Sequence, residues 1–106
     1  DTLQTNDYVA CLEKALEVTE NDAVALVAKA FDEIAKGDLD APEKEKTKKL
    51  LETAQSEWKR YRDAECAAFA RHTAGLGFGA TQFRLACLID ETVQRVEILK
   101  TRYELN

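Results

Sequence analysis

Helix-breaking residues stand at only two places in this chain, and that confines it to long helices joined by short turns. The chain has four glycines and one proline. Gly37 and Pro42 bracket one linker, and Gly75, Gly77 and Gly79 crowd a second. An interior Gly costs a helix about 1 kcal/mol and an interior Pro about 3 kcal/mol, so their absence elsewhere leaves the helices uninterrupted. No β-branched alternation and no hairpin dipeptide marks a strand. The pattern predicts an all-α chain, an antiparallel bundle of three or four helices. Its length of 106 residues predicts a single domain spanning residues 1–106.

Thr5 or Asn6 is expected to cap the first helix, because a short side-chain oxygen accepts from the free N–H groups of the first turn. Tyr8, Leu12, Ala15, Leu16 and Thr19 recur at helical spacing, and the stripe continues through Ala23, Leu26, Val27, Ala30 and Ile34. Thr19-Glu20-Asn21-Asp22 competes for backbone hydrogen bonds. The stripe stays in phase across it, which favours one long helix, with or without a kink near Asn21, over two. Gly37 ends that helix. Asp40 is expected to cap the second helix with Pro42 in its first turn, and the next breaker is Gly75, giving a helix from Pro42 to Arg71. The Gly75–Gly79 turn requires positive φ, with Phe78 tucked beneath it. Thr81 is expected to cap the third helix. Leu85, Leu88, Ile89, Thr92, Val96, Leu99 and Tyr103 form one stripe, and Phe83, Cys87 and Ile98 another. A helix apolar on two sides belongs between neighbours.

One face of the second helix is unusual. Leu51, Ala54, Trp58, Phe69 and the stem of Arg62 share it, and Gln55, Glu65 and Cys66 fall on the same side. Buried charge needs partners, so Arg62 is expected to pair with Glu65 and Asp63 with Arg95 of the third helix. The alternative is that the polar tips reach water, with Arg62 snorkelling beside Trp58.

Net charge is −5. That argues against nucleic acid, which demands a basic surface, and suits either a cationic partner or plain solubility. No apolar run approaches the ~20 residues that cross a bilayer. The chain starts at Asp1 and has no Met, as an N-terminally processed or trimmed protein would. Three cysteines in a short chain suggest an oxidising compartment. Cys66 and Cys87 flank the Gly-rich turn, and antiparallel helices folded there bring them to similar height. A disulfide is expected; two buried free thiols are the alternative. Cys11 is then the odd thiol, its place beside Leu12 favouring burial in a monomer over a linked dimer. His72, the one histidine, has no Cys or Ser motif near it. Scattered cysteines without C-x-x-C offer no zinc site, and the Gly-rich turn lacks the strand and Lys of a phosphate loop. No catalytic site, metal or cofactor is expected.

The pattern A-Q-x-x-W-x-x-Y-R-D-A-x-C over Ala54, Gln55, Trp58, Tyr61, Arg62, Asp63, Ala64 and Cys66 resembles the LprI-type lysozyme-inhibitor domain. So does C-L-x-x-x-T-x-x-R-x-x-x-L over Cys87, Leu88, Thr92, Arg95 and Leu99. Thr5, Cys11, Asp22, Leu26 and Phe31 are similar to the family's opening. Val27 stands where that family usually has Asn, and no cysteine precedes Cys11 to pair with it. The resemblance implies a small helical bacterial protein, exported to the periplasm or secreted, or tethered to an envelope, that inhibits host lysozyme. Gln55, Trp58, Tyr61, Arg62, Asp63 and Arg95 then read as a scaffold motif. An inhibitor that occludes the cleft of a cationic lysozyme needs acidic contacts outside the disulfide core. Asp32, Glu33, Asp38 and Asp40 are the densest candidates, and Glu20 and Asp22 a second patch; the alternative is that these are solvated acids that cap helices. The competing function is a structural or adaptor module of the cell envelope.

Overall fold

The computed structural model of the chain describes residues 2–77 and 79–105, with side chains from Asn6 onward. Three helices follow in order: α1 (Thr2–Lys36), α2 (Ala41–Ala74) and α3 (Ala80–Tyr103). They form a rod of 58 × 23 × 17 Å. The shorter α3 packs along both long helices, whereas α1 and α2 touch each other only sparsely. This is the place between neighbours that its sequence predicts, although Phe83 and Ile98 of the second stripe stay exposed.

α1 runs unbroken through the segment 19–22, so the four-helix alternative does not hold. The polar run is absorbed locally: the Thr19 hydroxyl donates to the Ala15 carbonyl at 2.7 Å, one turn back within the helix. Packing does the rest. Ala23, Leu26, Ala30 and Ile34 of α1 join Leu51 of α2, Val96 and Leu99 of α3, and Leu105 just beyond it, in one core.

The N-terminal cap is not as expected. Asn6 lies inside α1, which already spans Thr2, and the Thr5 side chain lies outside the described residues, as does Phe78. Cys11 is free and exposed, not buried. Leu12 turns inward, and a step of one residue carries Cys11 to the outer side with Tyr8 and Ala15, which are also exposed.

α2 begins as its sequence predicts. Asp40 is the N-cap, its Oδ1 accepting from the Glu43 N–H at 3.0 Å, with Pro42 in the first turn. It ends at Gly75 with φ of +61°, whose N–H donates to the Arg71 carbonyl at 2.8 Å. α3 is not capped by Thr81. Gly79, at φ +96°, takes the cap position without a side-chain hydrogen bond, and Thr81 falls within the first turn. A left-handed cap residue needs no Cβ, so the turn spends a glycine where a hydroxyl was expected.

α2 contributes few apolar anchors. Its buried residues are Leu51, Arg62, Cys66 and Ala70, while Ala54 and Glu65 of the predicted face are exposed. Phe69 is only partly covered and meets Phe83 of α3 edge-on, with ring centroids 6.2 Å apart. A disulfide and a buried cation therefore replace aliphatic contacts. Cys66 and Cys87 are bonded, with Cα atoms 5.5 Å apart, and tie α2 to α3.

Candidate functional site

The scaffold motif assembles around Trp58. Arg62 is 4% exposed, so its charged head is buried rather than snorkelling. Its Nη1 donates to Glu20 Oε2 of α1 at 2.9 Å and to Thr92 Oγ1 of α3 at 3.1 Å. Its Nε and Nη2 donate to Asp63 Oδ1 at 3.0 and 2.8 Å. Thr92 Oγ1 in turn donates to the Leu88 carbonyl at 2.6 Å. One guanidinium thus joins all three helices. The partner of Arg62 is not Glu65, which stays exposed on the outer side of α2, and Asp63 binds Arg62 instead of Arg95. Arg95 Nε donates to Gln55 Oε1 at 3.0 Å.

Both guanidiniums lie against the Trp58 ring, Arg62 Cζ at 5.3 Å from its centroid and Arg95 Cζ at 5.9 Å. Cation–π attraction of this kind contributes roughly 0.5–2 kcal/mol per contact. Burial, and then the neighbouring Arg102 charge, lower the pKa of Arg95 below the usual arginine value, with Tyr103 opposing. Over the motif, a cleft of ≈ 190 Å³ opens where α1 and α2 part, lined by Glu20, Asn21, Val24, Gln55, Trp58 and Lys59 and reaching Arg62 and Thr92. No serine, cysteine or histidine lines it, and its one carboxylate is bound to Arg62.

Tyr61 of the motif is 57% exposed and stands outside this network. The Glu65 carboxylate, with smaller contributions from desolvation and Glu91, pushes its phenol pKa above the ordinary value.

The acidic candidates divide by position. Glu20 faces α2 through Arg62, while Asp22 borders a different groove with Leu26, Lys29, Val96 and Lys100. These two do not form one patch, since residues two apart on a helix point to different sides. Asp32 and Glu33 share a recess with Lys29, Lys36 and Glu104. Asp38 and Asp40 lie in the turn between α1 and α2. That turn is braced: the Gly37 N–H donates to the Ile34 carbonyl at 3.2 Å, and Lys44 Nζ to the Ala35 carbonyl at 2.6 Å. Between the two aspartates Leu39 is 50% exposed. Sequence reasoning passed over Leu39; its signal was an apolar residue set between two acids in a turn. Among the described residues no cluster of three or more His, Cys, Asp or Glu side chains could hold a metal. None of the described helices is long and apolar enough to cross a membrane.

A family model described as lysozyme inhibitor LprI matches residues 1–99. The chain belongs to the LprI family. No curated protein and no solved structure matches it. The LprI match takes in α1, α2 and most of α3, and with them the Glu20–Arg62–Thr92 node, Trp58 and both bonded cysteines. The LprI description is that of an inhibitor, not of a catalyst.

Proposed function

We propose that this chain is an exported binding protein, with no catalytic role and no cofactor, that inhibits a cationic lysozyme by laying the α1–α2 end of its rod over the enzyme's substrate cleft. It acts as one LprI-like domain and as a monomer. The observation that carries the reading is the braced turn Asp38-Leu39-Asp40, which presents an exposed aliphatic side chain between two carboxylates. Interfaces derive affinity from apolar anchors and draw approach rate and orientation from charge, and this turn offers both at the narrow end of a rigid rod. Asp32 and Glu33 add carboxylates along the last turns of α1, interspersed with Lys29 and Lys36.

A lysis assay with purified lysozymes tests it. Asp38→Lys and Leu39→Ala should weaken inhibition while leaving the melting midpoint in place. Asp40 must be changed to Asn rather than Lys, because Asn keeps the cap while removing the charge. Full inhibition by all three variants would discard the turn as the contact. Failure of the parent chain to inhibit any lysozyme type at high excess would leave the envelope-adaptor function instead.

A further inference from the structure

A second surface, unrelated to the acidic turn, has the opposite character. Between the first half of α2 and the end of α3 lies a cleft of ≈ 340 Å³. Leu50, Leu51 and Leu99 make its walls, and Arg95 and Arg102 both reach it. None of the residues lining it is acidic, in a chain whose net charge is −5.

Arg95 is 8% exposed. Its Nε is bound to Gln55, yet among the described residues no ion pair includes Arg95. No hydrogen bond within the described residues uses its two Nη groups. No fully buried side-chain nitrogen among those residues lacks a partner, so these donors retain access to open space, and the cleft that Arg95 lines provides it. Arg102 stands two turns further along the same helix face, and its charge acts unfavourably on Arg95. Two like charges beside an apolar wall, one of them nearly buried, are costly until an anion joins them.

We propose that this cleft binds a small aliphatic carboxylate, its head bridged between Arg95 and Arg102 and its tail laid along Leu50, Leu51 and Leu99. Guanidinium groups hold a carboxylate through paired charge-assisted hydrogen bonds. Tyr103 lines the same cleft, and its phenol is a further donor for the head group; the Thr47 hydroxyl is already spent on the Glu43 carbonyl. Leu50, 70% exposed, gains cover from the tail. The volume stands near the lower end of the roughly 300–1,000 Å³ common for ligand sites, which suits a medium-length chain. Arg95 would otherwise serve only as a structural neighbour of Trp58, and that role demands no anion.

Titration of the full chain with sodium decanoate, below its micelle-forming concentration, reads binding by calorimetry and by emission of Trp58, the one tryptophan. Decanol, which keeps the tail, and acetate, which keeps the head, are the comparators. Decanoate should bind saturably and at least about tenfold more tightly than either. Arg102 is exposed, so Arg102→Gln should fold normally and weaken decanoate about tenfold while leaving decanol unchanged. Leu50→Asp should abolish binding. Equal affinity for decanoate and decanol, undiminished binding to Arg102→Gln, or no saturable binding at all would each overturn the proposal.

Discussion

Glu20 and Arg62, 42 residues apart in sequence, meet at 2.9 Å across the gap between α1 and α2. The contact is asymmetric. Arg62 has 5% of its side chain exposed and Glu20 has 38%. Removing the arginine leaves two carboxylates that water can reach; removing Glu20 leaves the buried cation with Asp63 as its one carboxylate. Arg62→Ala also deletes the stem beside Trp58 and the contact to Thr92. It should destabilise by about 2–4 kcal/mol, above the ~0.2–1 kcal/mol of an exposed pair. Glu20→Gln, which keeps an acceptor, should cost about 1 kcal/mol. Chemical denaturation of both variants checks the order, and an unchanged midpoint for Arg62→Ala would refute it.

The disulfide spans a separation of 21 residues. Loop-closure entropy gives about 3 kcal/mol for a loop of this length. Reduction, or replacement of Cys66 and Cys87 by Ala, should lower the melting temperature by roughly 12–24 °C. Hydrogen exchange should accelerate most where the bond joins the end of α2 to the start of α3, beyond the Arg62 node.

Cys11 is exposed on the outer side of α1. A thiol reagent should modify it in native protein at the rate of a free cysteine, with one label per chain. Cys11→Ser should leave stability within about 0.5 kcal/mol. Under oxidising conditions a covalent dimer should appear on a non-reducing gel and vanish in that variant.

Tyr61 should ionise at higher pH than an ordinary tyrosine. The sign follows from the neighbouring charge: the Glu65 carboxylate disfavours a phenolate, so the proton is held more tightly. Spectrophotometric titration of the parent chain against Glu65→Gln should show one phenol moving down towards pH 10. A coincident pair of curves would mean that Glu65 is not the main cause.

If the α1–α2 turn contacts a lysozyme, its charge and its apolar residue should separate kinetically. Asp38→Lys should slow association and reduce the salt dependence of the encounter. Leu39→Ala should instead speed dissociation, raising Kd about tenfold. Surface plasmon resonance at two salt concentrations distinguishes these outcomes.

What the sequence revealed and concealed divides along a physical line. The all-helical class, the Asp40 cap and the Cys66–Cys87 bond depend on spacing within one element or across one short turn, and all were legible; the helix number was narrowed only to three or four. The need of Arg62 for a carboxylate was legible too. Which carboxylate was not, because that depends on how α1 is rotated against α2, and local spacing favoured Glu65 one turn away. Cys11 failed for a related reason: the stripe holding Tyr8 and Ala15 was read as one face, though only Leu12, Leu16 and Thr19 turn inward. Thr81 was expected to cap by residue type, but the backbone at Gly79 had already supplied the turn.

The sparse meeting of α1 and α2 has a consequence for the order of assembly. Of the three helices, the one that bridges the other two is made last. A chain cut before Ala80 keeps both long helices in sequence but has nothing to bury their faces against, so it should remain a substrate for proteases. α3 can join α2 first, since the Cys66–Cys87 bond closes a short loop, whereas its contacts with α1 reach back across most of the chain. α1 would then dock onto a ready-made hairpin, and Arg62 would gain Glu20 only at that final step.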